Sequence, residues 1–189
     1  MSKKFSVRVF DTILNRRHRN TADRNYADVW RAFAKISGWE CYHERMHSLA
    51  DVKYFLRKPI KESVVIFSGH GESQGLMLSN GECLSPEEVS ELSGPLGTEG
   101  KIIILSTCKV GNYPDICNKY KDAFGASHLF AYRYDMHDQY CFLYDSLLLT
   151  MLSQHGKVSD KIMKDYEDNT FFMKNMNQKG VRKHPLVYY

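Results

Sequence analysis

Two side chains in this sequence have the types that acyl transfer needs. His70 stands between two glycines in Ser68-Gly69-His70-Gly71, and Cys108 closes Ser106-Thr107-Cys108. A thiol becomes a strong nucleophile once deprotonated, and an imidazole titrating near neutrality is suited to take that proton. The tetrahedral intermediate also needs donors aimed at its oxyanion, and the main-chain N–H groups of Gly71 and Cys108 are the candidates. Glycine on either side of His70 lets a substrate backbone approach closely. Singly, each residue has a plain explanation: a polar loop histidine, and a cysteine acting as a small buried hydrophobe. Their matching settings argue that they act together.

Those settings are strand ends. Val64 to Phe67 and Ile102 to Leu105 are the two fully apolar runs, the pattern of central parallel strands covered on both faces. Each breaks at a small-residue turn, the first carrying His70 and the second Cys108. In open α/β sheets ligands bind beyond the carboxyl ends of the strands, so neighbouring strands would bring the two residues to one edge.

Short apolar runs alternate with amphipathic stretches along the rest of the chain, which predicts an α/β fold. A first strand is expected over Phe5 to Phe10 and a helix over about Arg24 to Ile36. In that helix Tyr26, Val29, Trp30, Phe33 and Ile36 recur at helical spacing, and Gly38 stands at its end. Trp39 to His43 reads as a second strand. Ser48 and Asp51 form an approximate capping box for a helix that stops before Pro59. Asn80-Gly81 between extended runs signals a hairpin from Gly75 to Leu84. Ser85-Pro86-Glu87-Glu88 opens a short helix ending near Gly94. Pro114 to Phe124 reads as a helix closed by Gly125, His128 to Ala131 as a strand, and Asp138 to Gln154 and Ser159 to Lys174 as helices. Leu186 to Tyr189 is expected as an edge strand behind Pro185. With 189 residues and no repeat or low-complexity linker, residues 1–189 are expected to form one domain.

These motifs in their order carry a resemblance. Val65-Ile66-Phe67-Ser68-Gly69-His70-Gly71 resembles the strand and His-Gly motif of caspase-like cysteine peptidases. The run from Ile102 through Ser106-Thr107-Cys108 to Gly111 resembles the nucleophile strand and turn of CHAT-domain peptidases, relatives of caspases and separases. Leu76, Leu78, Gly81 and Leu84, then Glu88 and Leu92, resemble the hairpin and short helix that join the two. Phe124-Gly125-Ala126, Leu129 to Tyr132, and Asp135 to Leu149 resemble the following elements. The likeness covers about residues 60 to 155; before that only the element order agrees.

The resemblance implies a three-layer sandwich with a mostly parallel sheet of about six strands flanked by helices. It implies endopeptidase activity on protein or peptide substrates, with Cys108 as nucleophile, His70 as general base and acid, and Gly71 and Cys108 as the oxyanion hole. Family analogy suggests a regulated protease in a cell-death or defence pathway. No cofactor is expected. An unrestrained endopeptidase would be toxic, so an activator is expected: a regulatory protein, a bound ligand or removal of a pro-segment. The spacing of 38 residues between His70 and Cys108 is shorter than the roughly 50 of caspases. The caspase Gln-Ala-Cys signature is absent, so aspartate specificity does not carry over.

The pocket for the residue before the cleaved bond (P1) is expected to draw on Asp11, Ser106, and the Tyr132-Arg133-Tyr134-Asp135 stretch. Some relatives have an aspartate two residues before the nucleophile and prefer basic P1; here that position is Ser106. Asp11 and Asp135 favour a basic P1, whereas Arg133, Arg16, Arg17 and Arg19 would favour an acidic one. The expectation leans to basic. Asp11 reads equally as a cap at a strand end, and Tyr132 and Tyr134 as edge aromatics.

Composition limits the alternatives. The net charge of +4 comes from 26 basic and 22 acidic residues, and its excess sits in residues 1 to 20. The cluster Arg16-Arg17-His18-Arg19 reads as a solvated loop, an acidic-substrate contact or a nucleic-acid contact. With little aromatic interleaving it makes a thin case for nucleic acid. Five cysteines without a CxxC argue against disulfides and structural zinc. No acidic loop suggests calcium, so no metal is expected. No apolar run approaches the ~18 residues of a membrane span, and a reducing cytoplasm is the expected compartment. No Gly-x-Ser-x-Gly elbow supports a serine hydrolase. The competing function is a catalytically silent caspase-fold module that binds protein partners.

Overall fold

The computed structural model of this protein describes residues 4–12, 26–92, 95–170 and 183–189. The Arg16 to Arg19 cluster lies outside them, as do the expected first residues of the first helix, the turn at Gly94, and the end of the last helix.

Two β-sheets organise the chain. The larger has the strand order β2-β1-β3-β7-β8-β9. β1 (Ser6–Asp11), β2 (Glu40–Arg45), β3 (Val64–Ser68), β7 (Ile102–Ser106) and β8 (His128–Tyr132) run parallel, and β9 (Leu186–Tyr188) closes the edge antiparallel. Helices cover both faces, so the strands alternate between two cores. Phe10, Val65, Phe67, Ile103 and Leu105 pack with Val52 and Leu56 of α2 (Leu49–Leu56), Val89 of α3 (Pro86–Ser90), and Tyr120 and Phe124 of α4 (Pro114–Phe124). Val7, Val9, Val64, Ile66, Ile104 and Phe130 pack with Trp30 of α1 (Tyr26–Ser37), Leu148 of α5 (Asp138–His155) and Met163 of α6 (Asp160–Thr170). Burial on both faces is why these strands read as continuous apolar runs.

The local signals behave as their chemistry predicts. Ser48 Oγ accepts from the Asp51 N–H at 3.3 Å, while the Asp51 carboxylate accepts from the Ser48 N–H at 3.0 Å, completing the capping box of α2. Gly125 ends α4 in the left-handed conformation at φ 60°.

Two expectations are corrected. Of the apolar residues that recur at helical spacing in α1, Trp30 is buried but Val29 is 42% and Ile36 85% exposed, while Ala27 and Ala34 are buried. The small Ala27 and Ala34 line the inner side and admit close packing, which a search for large apolar residues overlooks. The hairpin is also larger than its turn suggests. β5 (Gly75–Met77) and β6 (Cys83–Leu84) are joined by β4 (His70–Glu72), which makes a second, three-stranded sheet. His70 therefore sits in a paired strand, not in a free loop.

Candidate active site

β3 and β7 lie side by side with Ser68 opposite Ser106. His70 and Cys108 each follow by two residues, so adjacent strands deliver them to the same sheet edge in the same register. Neighbouring strands are about 4.8 Å apart, which sets the scale of the site.

The two turns touch. A Cβ added at Gly71 would fall 2.5 Å from the Cys108 carbonyl oxygen and 2.7 Å from the Thr107 side chain. Only glycine allows this approach. Gly71→Ala is expected to push the histidine turn off the cysteine turn and slow modification of Cys108 by a peptidyl electrophile about 100-fold, the scale of a 1 Å misplacement. Timed mass spectrometry of the adduct measures this, and an unchanged rate would show that the contact does not matter.

The cysteine turn is held under some strain. Lys109 adopts φ 65°, the one non-glycine residue with positive φ among the described residues, a conformation costing about 1–2 kcal/mol. Its N–H donates to the Tyr134 carbonyl at 3.1 Å, and its ammonium lies 3.0 Å from Asp135 Oδ1. The half-buried Cys108 Sγ receives the Met136 N–H at 3.2 Å and lies 3.6 Å from the Met136 carbonyl oxygen, to which the thiol donates. The amide favours a thiolate and the carbonyl favours a thiol, so loss of the proton exchanges one contact for the other.

His70 is partly exposed, with Nε2 3.5 Å from Glu72 Oε1. Residues i and i+2 of a strand share a face, so Glu72 can orient the ring and support an imidazolium. Sequence reasoning passes over Glu72, because nothing local shows that a short strand, β4, continues past the His-Gly turn.

The other expected site residues part company. Ser106 lines a cleft beside Cys108, together with Trp30, Ser68, Gly69, Met136, Asp138, Cys141, Phe142 and Asp145. Asp11 does not, and its expected role toward a substrate is corrected. It is 3% exposed, bonded by Arg45 Nε at 3.0 Å and by Arg45 Nη2 at 3.3 Å, with His43 Nε2 at 2.8 Å. Burial alone would raise the Asp11 carboxyl, but His43 and Arg45 together hold it below its ordinary value. Its charge is used within the fold. Arg133 also stands away from the cleft. Its N–H donates to Pro185 beside β9, and its charge acts on Cys117, His184 and Tyr189. Asp135 lies at the exposed rim, paired with Lys109.

Four other cysteines bound the chemistry. Burial pushes the Cys41 thiol up to about 11 and the Cys117 thiol up to about 12, and it also raises Cys83. Cys141 is buried in α5. Among the described residues, no group of three or more His, Cys, Asp or Glu is arranged to hold a metal, and no helix is long and apolar enough to cross a membrane.

Asp145 is, with Glu72, a residue beside the site that sequence reasoning missed. It is fully buried in α5, where it accepts the Ser106 hydroxyl on Oδ2 and the Tyr132 hydroxyl on Oδ1, both at 2.6 Å. Burial pushes its carboxyl up to about 7, against the pull of those two hydrogen bonds. A signal for it existed: an aspartate within the stripe Cys141, Tyr144, Leu148, Leu149 and Leu152, where a carboxylate is rare.

No family model matches the chain, and no curated protein matches it. Solved structures do. A chain from the complex of the pro- and mature domains of Porphyromonas gingivalis RgpB aligns with a TM-score of 0.55 at 10% identity, over 87% of this chain and 43% of that one. The Drosophila initiator caspase Dronc aligns with a TM-score of 0.60 at 9% identity, over 100% of this chain and 81% of that one. The fold is caspase-like. At these identities the likeness establishes architecture, and this chain spans less than half of the RgpB chain. Within the caspase-like sheet, the edge beyond β3 and β7 is the one that carries His70 and Cys108.

Proposed function

We propose that this protein is a cysteine endopeptidase acting on protein or peptide substrates through a Cys108–His70 dyad. The observation that carries the reading is the register: two residues able to act as nucleophile and base follow paired positions on adjacent strands, with their turns in contact through Gly71. The order of His-Gly strand, hairpin, short helix and nucleophile strand supports a CHAT-type assignment.

In this mechanism His70 takes the proton from Cys108 Sγ, and the thiolate attacks the scissile carbonyl carbon. The Gly71 and Cys108 N–H groups receive the oxyanion. Collapse of the intermediate expels the amine, which takes the proton from the His70 imidazolium. Water, giving a proton to His70, then attacks the thioester; the new acid leaves and the thiol is restored. Glu72 steadies the imidazolium through both halves. A regulatory protein or ligand that reshapes the Met136 segment is the activator this reading calls for, since that segment engages the thiol.

Peptide mapping after treatment with peptidyl acyloxymethyl ketones tests the reading. The expected adduct is on Cys108, formed at least about 10-fold faster than on Cys41, Cys83 or Cys117, whose burial opposes thiolate formation, or on the buried Cys141. Equal, slow labelling of every cysteine would favour the silent protein-binding module instead.

A further inference from the structure

The cleft beside Cys108 has the composition of a receptor for one long cationic side chain. Its empty volume is about 360 Å³ with the open solvent at its mouth included, and as it stands it admits little more than a water-sized group. Trp30, Met136, Cys141 and Phe142 supply apolar wall, Ser68 and Ser106 supply hydroxyls, and Asp138 and Asp145 supply carboxylates. None of the described residues lining it is basic. Asp138 and Asp145 are seven residues apart on α5, two helical turns along one face, so one acid follows the other along the cleft.

We propose that this cleft is the P1 subsite and that Asp145, with Asp138, selects a lysine or arginine side chain there. The inference rests on the peptidase reading and adds its substrate class. A basic side chain has an aliphatic stem that packs on apolar wall and a charged end that seeks hydrogen bonds. The stem would run along Phe142 and Met136, and the cation would reach Asp145. Each Asp145 oxygen accepts one hydroxyl, from Tyr132 or Ser106. A carboxylate oxygen has room for a second donor, so a cation can bind without displacing either hydroxyl. Those hydroxyls also hold the carboxylate in a fixed orientation, which limits what binding must reorganise.

The same arrangement explains how Ser106 can stand two residues before the nucleophile, where some relatives bear an acid. β7 points Ser106 at α5, and Ser106 Oγ binds Asp145. The charge is supplied from the helix across the sheet rather than from the strand. Burial favours the neutral Asp145 acid, and an arriving cation would favour the ionised form. Neutral and acidic P1 side chains lack that return, and an acidic one would face two carboxyl groups.

Product peptides measure the subsite without requiring turnover. In Cys108→Ala protein, calorimetry compares acetylated tetrapeptides ending in lysine, arginine, norleucine or aspartate. Lysine and norleucine share the stem and differ in charge. Lysine and arginine are expected to bind about 10- to 100-fold more tightly than norleucine, the range of a charge-assisted hydrogen bond. Adding Asp145→Asn should erase that difference and leave norleucine binding within about threefold. Asp138→Asn, at the half-buried second acid of the lining, should lower it in part, and it decides the matter should Asp145→Asn unfold. Equal binding of lysine and norleucine would overturn the inference whatever the protein hydrolyses. A fluorogenic P1 library separates the two proposals. Cys108-dependent cleavage confined to uncharged or acidic P1 would overturn the inference and leave the peptidase standing. Lysine-selective binding with no cleavage of any substrate would leave a cation-binding cleft and overturn the peptidase reading, and with it the cleft's role as a P1 subsite.

Discussion

Cys108→Ala is expected to lower peptide hydrolysis by about 10⁴-fold or more, and His70→Ala by a similar factor. Combining the two should cost little beyond either alone, because a nucleophile and its base act as a unit. The strand register is the reason to expect that coupling. Both residues hang from the ends of strands whose register pairs Ser68 with Ser106, so each turn positions the other. Values of kcat/KM for the best fluorogenic substrate in the two single variants and the double variant measure it. Multiplicative losses would mean that the two side chains act independently. Hydrolysis that survives Cys108→Ala would place the chemistry elsewhere. His70 is also accessible enough to exchange protons with substrate and water, whereas Asp11 is closed off by Arg45 and His43.

Phe67→Ala is expected to destabilise the protein by about 3–5 kcal/mol, the range for truncating a buried phenylalanine. Phe67 has no exposed surface. Its ring stacks on Phe10 at 5.4 Å between centroids and on Phe124 at 4.9 Å. It thus joins β3 to its neighbour β1 and to helix α4, three residues before His70. The rings are rigid and interlocked, so the space left behind cannot close by simple rotamer changes. A loss of this size lowers the melting temperature by roughly 10 °C. Urea denaturation of the purified variant reads the free energy directly. A loss under about 1 kcal/mol would show that the core around β3 can collapse onto the gap. The effect should fall on stability and spare the chemistry, because Phe67 packs on the face opposite the Asp145 cleft.

Much of this protein follows from neighbouring residues alone. The apolar runs Val64 to Phe67 and Ile102 to Leu105 declare central strands because a strand buried on both faces has no polar side to alternate with. Ser48 with Asp51, Pro86 after Ser85, and Gly125 after Phe124 mark helix ends because capping is satisfied within one turn of chain. His70 and Cys108 stand out as candidates for the same reason, since each stands two residues after a strand that announces itself. What only the tertiary structure decided involves partners distant in sequence. Asp11 meets Arg45 across 34 residues, which turned an expected substrate contact into an internal ion pair. Ser106 meets Asp145 across 39, and that pair places a carboxylate in the cleft beside Cys108. A carboxylate carries no local mark of whether it will face a substrate or an arginine of its own chain. That choice is made by strand register and helix packing, which bring the candidates together only after the sheet has formed.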